Sequence, residues 1–156
     1  MALRGDRQVN IVDVTKVFHG VSEPGVILCY GTAGSGANLG DQAGTVILAA
    51  NPSGLKPAGL LMNNFVNVDT SKYHINFHKD EMVSGSPATL LKDGWVVTNN
   101  VTGSPAAGET AYLTTSGVVT PTSGGLVATP IVGEFDGPKD ELGYVRLTVK
   151  IPTKIS

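Results

Sequence analysis

A chain of 156 residues has room for one compact domain with a real core and is too short for two full ones. Charged residues make up only 15%, below the quarter typical of soluble domains, and 11 basic against 13 acidic residues leave a net charge of −2 with no long run of either sign, which excludes a dedicated nucleic-acid groove. A surface so weakly charged and so rich in Gly, Ala, Thr, Ser and Val predicts that much of it is covered by other protein.

Residues 1–8 are polar around Gly5 and read as a flexible arm that orders on a partner, ahead of a single β-rich domain over 9–156. No basic stretch followed by an apolar run opens the chain, and no window approaches 18 apolar residues, so neither a standard secretion signal nor a membrane-spanning helix is expected. Residues 9–17 form an imperfect strand, in which Val9, Ile11, Val12 and Val14 are interrupted by Asn10 and Asp13. After the Pro24-Gly25 turn, residues 26–30 read as a buried strand holding Cys29, the single cysteine, so no intrachain disulfide can form. A glycine-rich loop over 31–38 leads to a second buried strand at 44–50 and a strong turn at 51–54.

Residues 60–84 contain no Gly or Pro, yet their Asn, Asp and Thr content suits a helix poorly. Tyr73, Ile75 and Phe77 alternate with His74, Asn76 and His78 at period two. Two strands are expected there, with a single helical turn near Asn63. From Gly94 onward, 94–99, 109–113, 117–120, 130–135 and 143–149 read as five consecutive strands rich in Val, Thr, Tyr and Ile, separated only by turns. The fold class predicted is all-β and mainly antiparallel: a small barrel or sandwich with long loops and helix below about one residue in ten.

The motifs that suggest chemistry have simpler explanations. Gly31 to Gly36 lacks the Lys and Ser or Thr of a phosphate loop, since Ala37 and Asn38 follow. His74 and His78 lie on one face of an extended strand but about 13 Å apart, whereas a shared zinc requires nitrogens at about 2.1 Å. They read as a solvent-facing row or a subunit contact, and a metal held between copies is the alternative. Cys29 has no polar activator nearby in sequence, no Gly-x-Ser-x-Gly elbow exists, and the paired acids of Lys79-Asp80-Glu81 and Lys139-Asp140-Glu141 read as charged hairpin turns. Arg4-Gly5-Asp6, the internal Lys139-Asp140-Glu141-Leu142 and the Asn100-Val101-Thr102 sequon are set aside as chance matches. Trp95, which follows what reads as a Gly94 turn, is expected to anchor the core. No catalytic residue, cofactor or metal is assigned.

The order Gly94-Trp95-Val96-Val97, Ala107-Gly108-Glu109-Thr110-Ala111-Tyr112-Leu113, Gly117-Val118-Val119-Thr120-Pro121, Ile131-Val132-Gly133-Glu134-Phe135 and Val145-Arg146-Leu147-Thr148-Val149 resembles the head decoration, or capsid cement, proteins of tailed bacteriophages. Those chains share a GxxAY…GxVT…IVGxF…VRLxV rhythm. The strands at 25–28 and 44–48 are compatible with the family's earlier β elements, and residues 55–90 have no place in its shorter members. The resemblance implies a non-enzymatic virion protein on the outer surface of the capsid, made in the host cytoplasm. Its partners would be the major capsid protein and copies of itself, with a trimer favoured, and neither nucleic acid nor membrane. Arg4, Asp6 and Arg7 on the arm, with His74 and His78, are the expected capsid or subunit contacts. The alternative is a head-fibre or surface module that recognises a receptor or glycan through the 31–38 loop and Trp95. An enzyme using His74 or His78 with a metal is a third reading.

Overall fold

The computed structural model describes residues 3–31, 44–62, 67–68, 78–79, 81–82, 84–123 and 129–151. Its strands in chain order are β1 (Leu3–His19), β2 (Ile27–Tyr30), β3 (Thr45–Ile47), β4 (Pro57–Leu61), β5 (Asn67–Val68), β6 (His78–Lys79), β7 (Pro87–Thr98), β8 (Thr110–Leu113), β9 (Val119–Thr120), β10 (Ile131–Phe135) and β11 (Val145–Lys150). The protein is all-β, with a closed five-stranded barrel and extra strands. A single 3-10 turn at Thr115–Gly117 is the helical element among the described residues.

The barrel runs β1, β3, β2, β4, β7 and back to β1. An odd number of strands cannot alternate direction all the way round, so one pair has to be parallel. That pair is β1 with β3, joined at Val17 to Thr45 and His19 to Ile47; the other four pairings are antiparallel. Each barrel strand contributes at least one fully buried side chain to a shared interior: Phe18, Leu28, Val46, Ala58 and Leu61, and Ala88 and Leu90. Burying one of the larger side chains among them contributes about 1.5 to 3 kcal/mol.

β7 belongs to two structures at once. One edge follows β1 along its length, while the other pairs with β4 at Leu90 and Leu91 and then with β11 from Asp93 to Thr98. Beyond β11 the sheet continues antiparallel through β10, β8 and β9. This outer sheet closes a second core, in which Val96, Ala111, Leu113, Val132, Phe135, Val145 and Leu147 pack with Ile27, Cys29, Leu60 and Leu91 from the barrel. Ile27 and Cys29 therefore point to one core and Leu28 to the other, which explains why β2 is an unbroken apolar run instead of an alternating one. Asn100 ties the two parts together, its Nδ2 donating to the carbonyls of Gly25 at 3.2 Å and Gly117 at 3.1 Å.

Several sequence expectations take a different form in the structure. The arm over 1–8 is, at residues 3–8, the first part of β1, because Leu3 is buried and Arg7 and Gln8 lie opposite Val96 and Trp95. Gly94 is no turn: it sits inside β7 at φ +148, where a Cβ would run into the Gln8 carbonyl and come within 3.2 Å of Leu91 Cδ1. The strand expected to begin there starts at Pro87, and β4 was not anticipated. Of the 60–84 segment, β5 and β6 form an antiparallel pair joining Asn67 to Lys79 and Val68 to His78. Asn63, Tyr73, His74, Ile75 and Phe77 lie outside the described residues, as does the 32–38 part of the glycine-rich loop.

Candidate functional site

The surface that stands apart is the outward side of β1. Residues 5–12 are all exposed, on a strand of 17 residues. Its far edge meets a neighbour strand, among the described residues, only where residues 17–19 pair with β3. Four apolar side chains lie within six positions of it: Val9, Ile11, Val12 and Val14, the last 63% exposed. Residues opposite one another across a β ladder share a face. Val9, opposite Gly94, and Val12, opposite Leu91, share the side of the buried residues, while Ile11, opposite Asp93, takes the outer side. β1 therefore presents apolar groups on both faces, and residues 5–12 are exposed among the described residues.

Side chains on the flanking strands fasten β1 in place. Arg4 pairs with Asp140 at 3.2 Å and lies 4.0 Å over the Tyr144 ring. Asp140 is itself fixed by the turn it caps, accepting from the backbone N–H groups of Leu142 and Tyr144 at 2.9 and 2.8 Å. On the outer face Trp95 Nε1 donates to Gln8 Oε1 at 2.9 Å, and the Arg146 guanidinium lies 4.0 Å from the centre of the indole. Arg146 Nε reaches Asp136 at 2.8 Å, and Thr148 Oγ1 donates to the same carboxylate at 3.1 Å. Trp95 is thus a partly exposed clamp between β1, β7 and β11, not the core anchor its size suggested.

A second polar group sits further along β1. Asp13 accepts from the Thr15 hydroxyl at 2.6 Å and the Thr15 N–H at 2.9 Å, and lies 3.8 Å from Lys92 Nζ, which donates to Tyr30 Oη at 2.8 Å. Burial pushes the Asp13 carboxyl up, but both Thr15 hydrogen bonds and the nearby Lys16 and Lys92 charges outweigh it and hold the group below its ordinary range. The carboxylate is charged at neutral pH.

Of the residues singled out in the sequence, Arg4, Asp6 and Arg7 come together on β1, with Asp6 and Arg7 exposed. His78 stands in the short β6, apart from that strand, and His74 lies outside the described residues. Cys29 is buried, and burial raises its thiol to about 11, so it is protonated and unreactive at neutral pH. His19 Nδ1 lies 3.3 Å from Ser84 Oγ, both on exposed positions where water competes with the contact. Among the described residues no group of three His, Cys, Asp or Glu side chains is placed to hold a metal ion, and no helix is long and apolar enough to cross a membrane.

The apolar positions of β1 are the feature the sequence reading passed over. Their signal was present: a strand with one solvent face alternates, whereas this one carries β-branched residues at both parities, with charges before and after them. Compared with known proteins, the chain matches no protein-family model, and no curated protein matches it.

Proposed function

We propose that the chain is a virion structural protein, a capsid decoration or cement subunit that binds the outer surface of a phage head and stabilises the shell by bridging major capsid subunits. The observation that carries this reading is the first strand, whose residues 5–12 are exposed among the described residues. A long edge with apolar side chains on both faces is costly to leave in water and serves assembly with other protein. The resemblance of residues 94–149 to the cement family supports the virion setting, and the low charge of the chain suits a surface largely covered in an assembly. Asp6 and Arg7, exposed beside the Arg4 clamp, are the proposed polar contacts to the capsid. Copies of the chain act as a homo-oligomer, a trimer being favoured, and several modest contacts per oligomer add through multivalency.

Cosedimentation with expanded, undecorated heads tests this reading. Saturable binding at a fixed number of copies per capsid subunit is the expected result, and a chain that stays in the supernatant at every salt concentration would remove the role. The partly exposed Trp95 under Arg146 favours one other reading, a head-fibre or surface module that binds glycan or receptor. Glycan-array binding lost on Trp95→Ala would support it.

A further inference from the structure

One end of the barrel carries an unbalanced group of charges. Asp13 stands opposite Leu90, Lys16 opposite Ala88 and Tyr30 opposite Val46, and all three partners belong to the buried barrel interior. Side chains opposite one another across a ladder share a face, so Asp13, Lys16 and Tyr30 lie on the inner side. Lys92 joins them through its 2.8 Å hydrogen bond to Tyr30 Oη. None of the four is fully buried, which puts them at the open end of the barrel.

A bulge brings the charges together. In a regular strand residues 13 and 16 would point to opposite faces. β1 takes three steps from Asp13 to Lys16 where β7 takes two, from Leu90 to Ala88, and the extra residue turns Lys16 to the side of Asp13. The two hydrogen bonds from Thr15 to Asp13 close this bulge. Gly44 leaves the space that Lys16 fills, since a Cβ there would stand 3.3 Å from Lys16 Nζ.

Two ammonium groups face one carboxylate here. Asp13 is engaged by Thr15, and Lys92 Nζ stays 3.8 Å from it with its side chain only 20% exposed. Lys92 Nζ lies 5.5 Å from the Tyr30 ring centre, beyond the hydroxyl and not over the ring face. Lys16 Nζ lies 5.8 Å from the same ring, and among the described residues no hydrogen bond or ion pair holds it. The Tyr30 hydroxyl accepts from Lys92 and keeps its own proton to donate. Partly buried cations call for an anion, and one more carboxylate would bring the local charge to zero. We propose that this end of the barrel receives an acidic side chain, Glu or Asp, of a protein partner, held by Lys16 and Lys92; this rests on the chain working through contact with other protein and names the chemistry of one such contact. The charge sum favours a monoanion over a phosphate dianion, and the exposed Val12 and Val14 beside Asp13 suit a protein chain better than a free ion. Being half-buried, the contact is screened little by salt.

Titrating the full chain, its lysine side chains carbon-13 labelled, with acetyl-glutamate-amide tests the site. Saturable shifts of the Lys16 and Lys92 Cε signals at millimolar probe are expected, and none with the neutral glutamine analogue. Lys16→Gln leaves Asp13 balanced by Lys92, so it should keep the urea midpoint while weakening the probe roughly tenfold. Asp13→Asn, which removes the opposing charge, should tighten it; a purely structural cap on the barrel predicts neither change. Absence of saturable shifts, or equal binding by Lys16→Gln, would overturn the proposal. Tighter binding of inorganic phosphate than of the probe would overturn the choice of a protein acid, and shifts that appear only in Asp41→Asn would give the site to the chain's own carboxylate. Head occupancy is read separately: a chain that binds heads and ignores the probe loses this site and keeps the capsid role, and one that binds the probe and ignores heads does the reverse.

Discussion

Gly94 shows how much one position can decide. Its φ of +148 belongs to glycine, and the space a Cβ needs is taken by the Gln8 carbonyl of β1 and by Leu91 Cδ1 at 3.2 Å. Gly94→Ala must displace β1 or strain β7, and the expected loss is about 3 kcal/mol, read as a lower urea midpoint with an unchanged slope. Cys29 makes a different prediction. Burial holds its thiol at about 11 against 9.0 for the free group, so folded and unfolded chains carry the same proton below pH 9. Between the two values only the unfolded chain ionises, and stability should fall by about 2 to 3 kcal/mol as pH rises through that window. Cys29→Ala should lack this slope, and a thiol reagent at pH 8 should label the wild type only after unfolding.

At the scale of the element, β1 is held by clamps at its start and by the barrel at its end. Arg4 with Asp140 and Tyr144, and Gln8 with Trp95, fasten the first half, whose own side chains are mostly exposed; Phe18 is buried in the barrel interior. Replacing both Arg4 and Gln8 by alanine should speed amide exchange in residues 3–9 by roughly tenfold and leave β2 and β4 unchanged, because local opening follows local contacts. Equal acceleration throughout would mean that β1 opens only with the whole molecule. The elements legible in the sequence are those whose pattern is local: the apolar run of β2, the turn-bounded strands β8 to β11, and the Asp140 turn. β4 and the first half of β7 were not, since Pro57-Ala58-Gly59-Leu60-Leu61 has a strand's apolar content without its punctuation, and Gly94 resembles a turn to any local rule.

At the scale of the whole molecule, a barrel and an outer sheet share β7, so neither core can be lost without exposing part of the other. The capsid proposal has its own signature at this scale. With a net charge of −2 and few charged side chains, shell binding should depend weakly on salt and fail mainly when apolar contacts are replaced. Head occupancy measured between low and physiological ionic strength should stay nearly constant for the wild type. A collapse of occupancy over that range would make the charged contacts, Asp6 and Arg7 among them, the main source of attachment.

The sequence by itself determined that this protein is all-β, that its single cysteine is buried, and that its later strands follow one another with short turns, because hydrophobic period, β-branched content and turn residues act over a few neighbours. Only the tertiary structure decided that five strands close into a barrel, that Gly94 is a close approach and no turn, that Trp95 clamps an outer face, and that the polar start of the chain belongs to a long strand. Those outcomes depend on which distant segments meet, and a pairing such as Gln8 with Trp95 or Leu3 with Thr98 leaves no mark on the residues nearby in the chain.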